Sequence, residues 1–184
     1  MMSMVVWNPP GRTPLPNLTD LLAEARRLGG ASALTEYWQE QPCRSAYVHG
    51  ERHDLWWEFA LSASFRWQAH IWRLAPEDAR RRTYRLALAL GLLTLLDRPV
   101  EGLTPAQRAR ANLAVALLPK PDLLVWEEPF CHLAGADCAR AGRLVRQLNR
   151  TEGLTVVAVS GDPLGLERLD LPPVHVLKAV PGEF

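Results

Sequence analysis

The chain is short of lysine, of cysteine and of charge imbalance, and each shortage removes a class of function. Of its 21 basic residues only two are lysines, Lys120 and Lys178, and 20 acidic residues bring the net charge to +1. So small a field implies neither a nucleic-acid backbone nor an anionic membrane surface, and no nucleic-acid partner is expected. The three cysteines, Cys43, Cys131 and Cys138, are odd in number and fit neither a zinc site nor a disulfide framework. No metal site is expected, and a reducing cytoplasm is the expected location. The longest apolar run, "LALALGLLTLL" (86–96), is too short to span a bilayer, and "MMSMVVWNPPGR" lacks the charged start and apolar core of a signal peptide. Repeats and low-complexity segments are missing as well. What is present is 184 residues, 48% of them hydrophobic, enough for one domain (1–184) with a core of its own.

Along that domain strands alternate with helices. Val5–Trp7 is a short apolar strand that runs into the turn-rich loop "NPPGRTPLPN". "LTDLLAEARRLGG" (18–30) has leucines and alanines at helical spacing and stops at Gly29-Gly30. Residues 31–45 read as irregular, "SAYVHG" (45–50) as a strand, and the aromatic-rich segment 55–74 as helical from about Ser62. Helices are expected over 75–93, where Pro76, Glu77 and Asp78 open an apolar stripe, over 105–121, and over 135–153. The apolar runs Leu123–Trp126, "LTVVAVS" (154–160) and "VHVLKAV" (174–180) complete the strands. Continuous apolar strands separated by helices indicate an α/β fold, a parallel sheet with helices on both faces.

In open α/β sheets ligands gather at the carboxyl ends of the strands. Three such ends carry notable residues: Glu127 and Glu128 after Trp126, "SGDP" after Val159, and "NPPGRTPLP" after Trp7. Two glutamates ending a strand are in isolation a solvated strand end, and their context gives them weight. "LTPAQRARANLAVALL" (103–118) opens a helix that leads to "LLVWEEP", then come "HLAGAD" and "LTVVAVSGDP".

This series resembles the nucleotide-binding domain of ATP-binding cassette (ABC) proteins, with a signature loop, a Walker B strand, a D-loop and a switch strand in order. The segment 46–74 is similar to the Q-loop region of exporter-type cassette ATPases, in which paired tryptophans follow the glutamine. In that register "VVWNPPGRTPLPNLTDLL" falls on the Walker A loop and its helix, and the likeness runs from about residue 5 to about residue 163. The resemblance implies a P-loop NTPase-like sheet with a helical subdomain near 56–100. It also implies a truncated N-terminal antiparallel β-subdomain, since only four residues precede Val5.

The functional positions depart from the family's pattern together. Gly11 is retained, but Thr13 replaces a glycine, Pro14 the phosphate-binding lysine and Leu15 the magnesium-binding hydroxyl. A lost charge-assisted contact costs about 1.5 to 3 kcal/mol, and Pro14 and Pro16 have no N–H to give to phosphate. Glu51 stands for the Q-loop glutamine and Glu127 for the Walker B aspartate, one methylene longer. Thr104 and Gln107 keep polar signature positions while Pro105 and Ala106 replace glycines; Ala134 replaces the D-loop aspartate and Gly161 the switch histidine. Glu128 alone matches the general base. Phosphoryl transfer is almost entirely positioning and electrostatics, so ATP with magnesium is expected to bind at most weakly and no turnover is expected.

The resemblance therefore implies a pseudo-ATPase subunit of an ABC transport system. Its partner is an intact cassette ATPase, a permease at the inner face of the membrane, or a second copy of itself. A weak ATPase relying on Glu128, and a stand-alone adaptor, are the alternatives. Trp56, Trp57, Phe65, Trp67 and Trp72 are expected to divide between core and partner surface, with Trp56, Trp57 and Trp67 the candidate partner anchors. The arginines Arg80–Arg82 read as a solvated helix face, and His132 as an exposed loop residue.

Overall fold

A computed structural model of the chain describes residues 3–7, 44–50, 54–129, 131–161 and 175–178. Gly11, Thr13 and Glu51, Cys43, and the helix expected over 18–30, lie outside the described residues. Five strands form one sheet in the order β2-β3-β4-β1-β5. Strands β2 (Ser45–His49), β3 (Leu123–Glu127) and β4 (Thr155–Ser160) are parallel, with His49 across from Glu127 and Glu127 across from Val159. Strands β3 and β4 are buried almost throughout, as their unbroken apolar sequences require of strands with neighbours on both sides.

Strand β1 (Ser3–Trp7) runs the other way. It lies antiparallel to β4, with Ser3 opposite Ser160 and Trp7 opposite Val156, and antiparallel to β5 (His175–Lys178). The sequence reading brought the end of β1 to the edge that carries Glu127 and Glu128. Trp7 instead ends at the opposite edge, beside the start of β4. A five-residue apolar strand reads alike in both directions, and an antiparallel ladder bonds its backbone at least as well as a parallel one. Sequence alone therefore leaves its polarity open.

Helices α1 (Leu61–Ile71) and α2 (Pro76–Ala89) pack against α3 (Pro105–Leu117), which in turn lies on β2. Helix α4 (Gly135–Glu152) lies on β4 and also touches α2 and α3. Helix α3 is the most enclosed: Ala111, Leu113, Ala114 and Leu117 are wholly buried. Pro76 and Pro105 occupy the first turns of their helices, where no N–H is needed. Gly153 closes α4 at φ +74°, and the Asn149 side chain donates to the Leu154 carbonyl at 2.7 Å to turn the chain into β4.

Arg82 corrects the expectation of a solvated arginine face. Arg80 and Arg81 are exposed, but Arg82 is buried. Its Nε and Nη2 donate to the Leu117 carbonyl at 3.1 and 2.9 Å, and its Nη1 pairs with Glu152 at 2.7 Å. Helical periodicity explains the exception, because Arg82 lies on the inward face with Leu86. One guanidinium thus joins α2, the end of α3 and the end of α4. Replacing Arg82 with alanine leaves Glu152 with only Arg85 at 3.4 Å and the Leu117 carbonyl with only the Lys120 N–H at 3.3 Å, and is expected to cost about 2 to 4 kcal/mol. Urea unfolding of Arg82→Ala beside Arg81→Ala, expected to cost under about 0.5 kcal/mol, checks this.

Candidate functional site

The carboxyl edge of β2, β3 and β4 brings together residues that are far apart in the chain. Glu127 ends β3 half-buried. The Tyr47 hydroxyl donates to its Oε2, and His49 Nε2 lies 3.6 Å from the same oxygen. Glu128 follows at φ +46°, a left-handed conformation that non-glycine residues rarely adopt. Its N–H donates to the Val159 carbonyl at 2.8 Å, which ties the turn to the end of β4.

That turn points the Glu128 carboxylate at β4. Oε2 accepts from Ser160 Oγ at 2.8 Å and Oε1 accepts from the Gly161 N–H at 2.7 Å. Both oxygens are held by the chain's own donors. Gly161, which stands at the switch-histidine position of the resemblance, thus offers a backbone N–H to the carboxylate.

The loop after Glu128 closes onto β2. The Cys131 N–H donates to the Glu128 carbonyl at 3.1 Å. A Cβ placed on Gly50 would collide with the Glu128 carbonyl oxygen and stand 2.8 Å from the Cys131 Cβ. Only glycine lets the two backbones approach so closely. Cys131 is exposed with His132 Nε2 3.8 Å from its sulfur, His132 is exposed too, and Cys138 is buried in α4.

The signature positions are occupied in a different way. Thr104 caps α3, its Oγ1 accepting from the Gln107 N–H at 3.3 Å while Gln107 Oε1 accepts from the Thr104 N–H at 2.8 Å. This reciprocal capping box is what S/T-x-x-Q before an apolar run forms when the helix begins at Pro105. No hydrogen bond joins either side chain to Glu127 or Glu128 among the described residues. Ala134, at the D-loop position, leaves α4 without a side-chain cap.

The tryptophans divide as their surroundings dictate. Phe65 is buried, whereas Trp57 and Trp67 are 47% and 45% exposed and Trp56 and Trp72 are also open. Trp56 meets Trp67 at 4.9 Å between ring centroids and Phe59 edge-on at 5.4 Å. Trp57 lies under the Arg108 guanidinium at 5.1 Å, which fastens the aromatic segment to α3.

The sequence reading missed Tyr47, His49 and Ser160. A signal was available: Tyr47 and His49 alternate on one face of β2, and Ser160 sits one residue beyond the register partner of Glu127. Reading it requires the strand pairing, which periodicity does not supply.

No family model matches the chain. It is 38% identical over 84 residues to a phosphonates import ATP-binding protein of Rhodopseudomonas palustris, a match spanning 46% of this chain and 30% of the relative. It is 36% identical over 90 residues to a zinc import ATP-binding protein of Alkalilimnicola ehrlichii, spanning 49% and 35% of the two chains. Among solved structures it is similar to an ATP-binding cassette crystallised as a dimer in a post-hydrolysis state with ADP and phosphate. There the TM-score is 0.59 at 18% identity, over 75% of this chain and 60% of the other. Over about half of its length the chain is similar in sequence to ABC ATP-binding proteins, and its fold is that of ABC nucleotide-binding domains. The matches span about a third of the length of these two curated relatives.

The glutamate pair is set by the junction of Gly50 with the Glu128 turn. Gly50→Ala is expected to destabilise the protein by about 1 to 3 kcal/mol through overpacking against backbone. It is also expected to loosen the Glu128 turn. Chemical denaturation gives the first quantity, and amide exchange at Glu128 and Gly161 the second; unchanged exchange would refute the close-approach account.

Proposed function

We propose that this cassette domain is a catalytically impaired subunit of an ABC transport system, acting through a partner rather than by its own turnover. The observation that supports this best is the Glu128 carboxylate, with both oxygens bonded to Ser160 and Gly161. A general base needs a free lone pair aimed at the attacking water. Here the nearest donors are the protein's own, and the residue at the switch position has no side chain to exchange for them.

The fit to magnesium and ATP is poor on the same grounds. Glu127 Oε2 accepts from Tyr47 and faces His49, so binding a magnesium-bound water requires those contacts to give way. The lysine and hydroxyl of a phosphate loop are replaced by Pro14 and Leu15. The reversed β1 adds to the argument, because it ends away from the carboxylates.

The partner reading rests on the exposed aromatic surface and on the relatives' printed roles as import ATP-binding proteins. Trp56, Trp57 and Trp67 supply large apolar area beside polar tips, the composition of interface anchors. A permease or an intact cassette ATPase fits this surface, and the protein then sits peripherally at the inner face of the membrane. No helix among the described residues is long and apolar enough to cross a membrane itself.

Isothermal titration of the protein with magnesium and ATP is expected to give a Kd weaker than about 10 µM, a binding free energy less favourable than about 7 kcal/mol. Phosphate release is expected to be the same for the parent and Glu128→Gln. Turnover abolished by that substitution would overturn the reading in favour of a weak ATPase. Co-purification from the native source is expected to yield a permease or cassette ATPase with the parent protein. Trp56→Ala/Trp67→Ala should recover it at least about tenfold less, as loss of two anchors implies.

A further inference from the structure

The helical side of the molecule holds two neighbouring guanidinium groups, only one of which pairs with a carboxylate. Gly91 follows the end of α2 at φ +65°. A Cβ there would collide with Arg140 Nη1 and stand 3.2 Å from both Arg140 Cζ and Arg110 Nη1. Arg110 comes from α3 and Arg140 from α4, so three helices converge on this glycine.

The two arginines are held differently. Arg110 is buried and fixed, its Nη1 donating to the Leu90 carbonyl at 2.7 Å and its Nε to the Ala106 carbonyl at 3.3 Å. Asp137, in the first turn of α4, lies 3.5 Å from the same Nε. Arg140 has no carboxylate partner among the described residues, and its Nε is fully buried without any hydrogen-bond partner. The locus therefore carries two positive charges against one negative.

A buried guanidinium N–H without an acceptor is costly, and a neighbouring like charge raises that cost. An acceptor with more than one oxygen removes both penalties. Guanidinium presents Nε and Nη in a planar fork that matches an oxyanion, and a second guanidinium beside it favours a doubly charged one. Gly91 and Arg140 are only half-buried, so the locus lies near the surface, and the Arg140 guanidinium must swing outward to present its buried Nε to a ligand.

We propose that Arg140 and Arg110, meeting at Gly91, form a binding site for a phosphate-class oxyanion, separate from the carboxyl edge that carries Glu127 and Glu128. Arg140 supplies the fork, Arg110 a fixed second charge, and Gly91 the room for the Arg140 guanidinium. Phosphate is preferred over a carboxylate because its tetrahedral oxygens can accept from both guanidinium groups at once, one net positive charge remaining after Asp137.

The test is thermal unfolding of the full chain in inorganic phosphate against sodium chloride of equal ionic strength, with sodium acetate as a third arm. Phosphate at ten times its Kd is expected to raise the midpoint by about 3 to 6 °C over chloride. Arg140→Gln is expected to abolish the shift, and Arg143→Gln, at an exposed arginine on the same helix, to keep it. No shift in the parent, or an equal shift in Arg140→Gln, overturns the site. An acetate shift as large as that in phosphate overturns the preference for phosphate. Should Arg140→Gln not fold, phosphorus-31 line broadening with the parent protein decides: broadening relieved by sulfate supports the site, and its absence refutes it.

Discussion

Strand β3 is paired on both sides, and the arrangement of the carboxyl edge depends on that constraint. With β2 on one flank and β4 on the other, its backbone groups are satisfied and its apolar side chains enclosed. Two residues at its end are then delivered to fixed places. Glu127 falls next to β2 and takes its partners from Tyr47 and His49. Glu128 turns the other way, at φ +46°, and takes its partners from the end of β4. Consecutive carboxylates of like charge are thus separated onto opposite neighbours, each with donors of its own. Such separation reduces the repulsion that the pair would suffer side by side.

Much of this was legible in the residues. The apolar runs located β2 to β5, and the opening at Pro76 with helical apolar spacing located α2, α3 and α4 within a few residues. Those signals are local, and local physics sets them. The direction of β1 was not legible, since neither hydrophobic pattern nor propensity distinguishes the two polarities of a short strand. Arg82 was misread because three adjacent arginines suggest one face, whereas a helix rotates each by about 100°. The third consequently points inward to the Leu117 carbonyl.

The candidate site was legible in part. Glu127 and Glu128 stood out as the end of a buried strand, and Thr104 and Gln107 as polar positions opening a helix. Their partners did not stand out, because Tyr47, His49 and Ser160 reach the glutamates only through strand register. What changes the chemical reading is this satisfaction of groups. Glu128 accepts from Ser160 and Gly161 and Glu127 from Tyr47, so both carboxylates are oriented by the chain's own donors.

The capping box at the start of α3 has a consequence of its own. Thr104 and Gln107 bond to each other, and Pro105 fixes the first turn, so this helix begins without help from any molecule lying across from it. A helix start capped by its own side chains is formed before anything meets it. Whatever meets it finds one preformed shape, without the entropy cost of ordering a loop on contact.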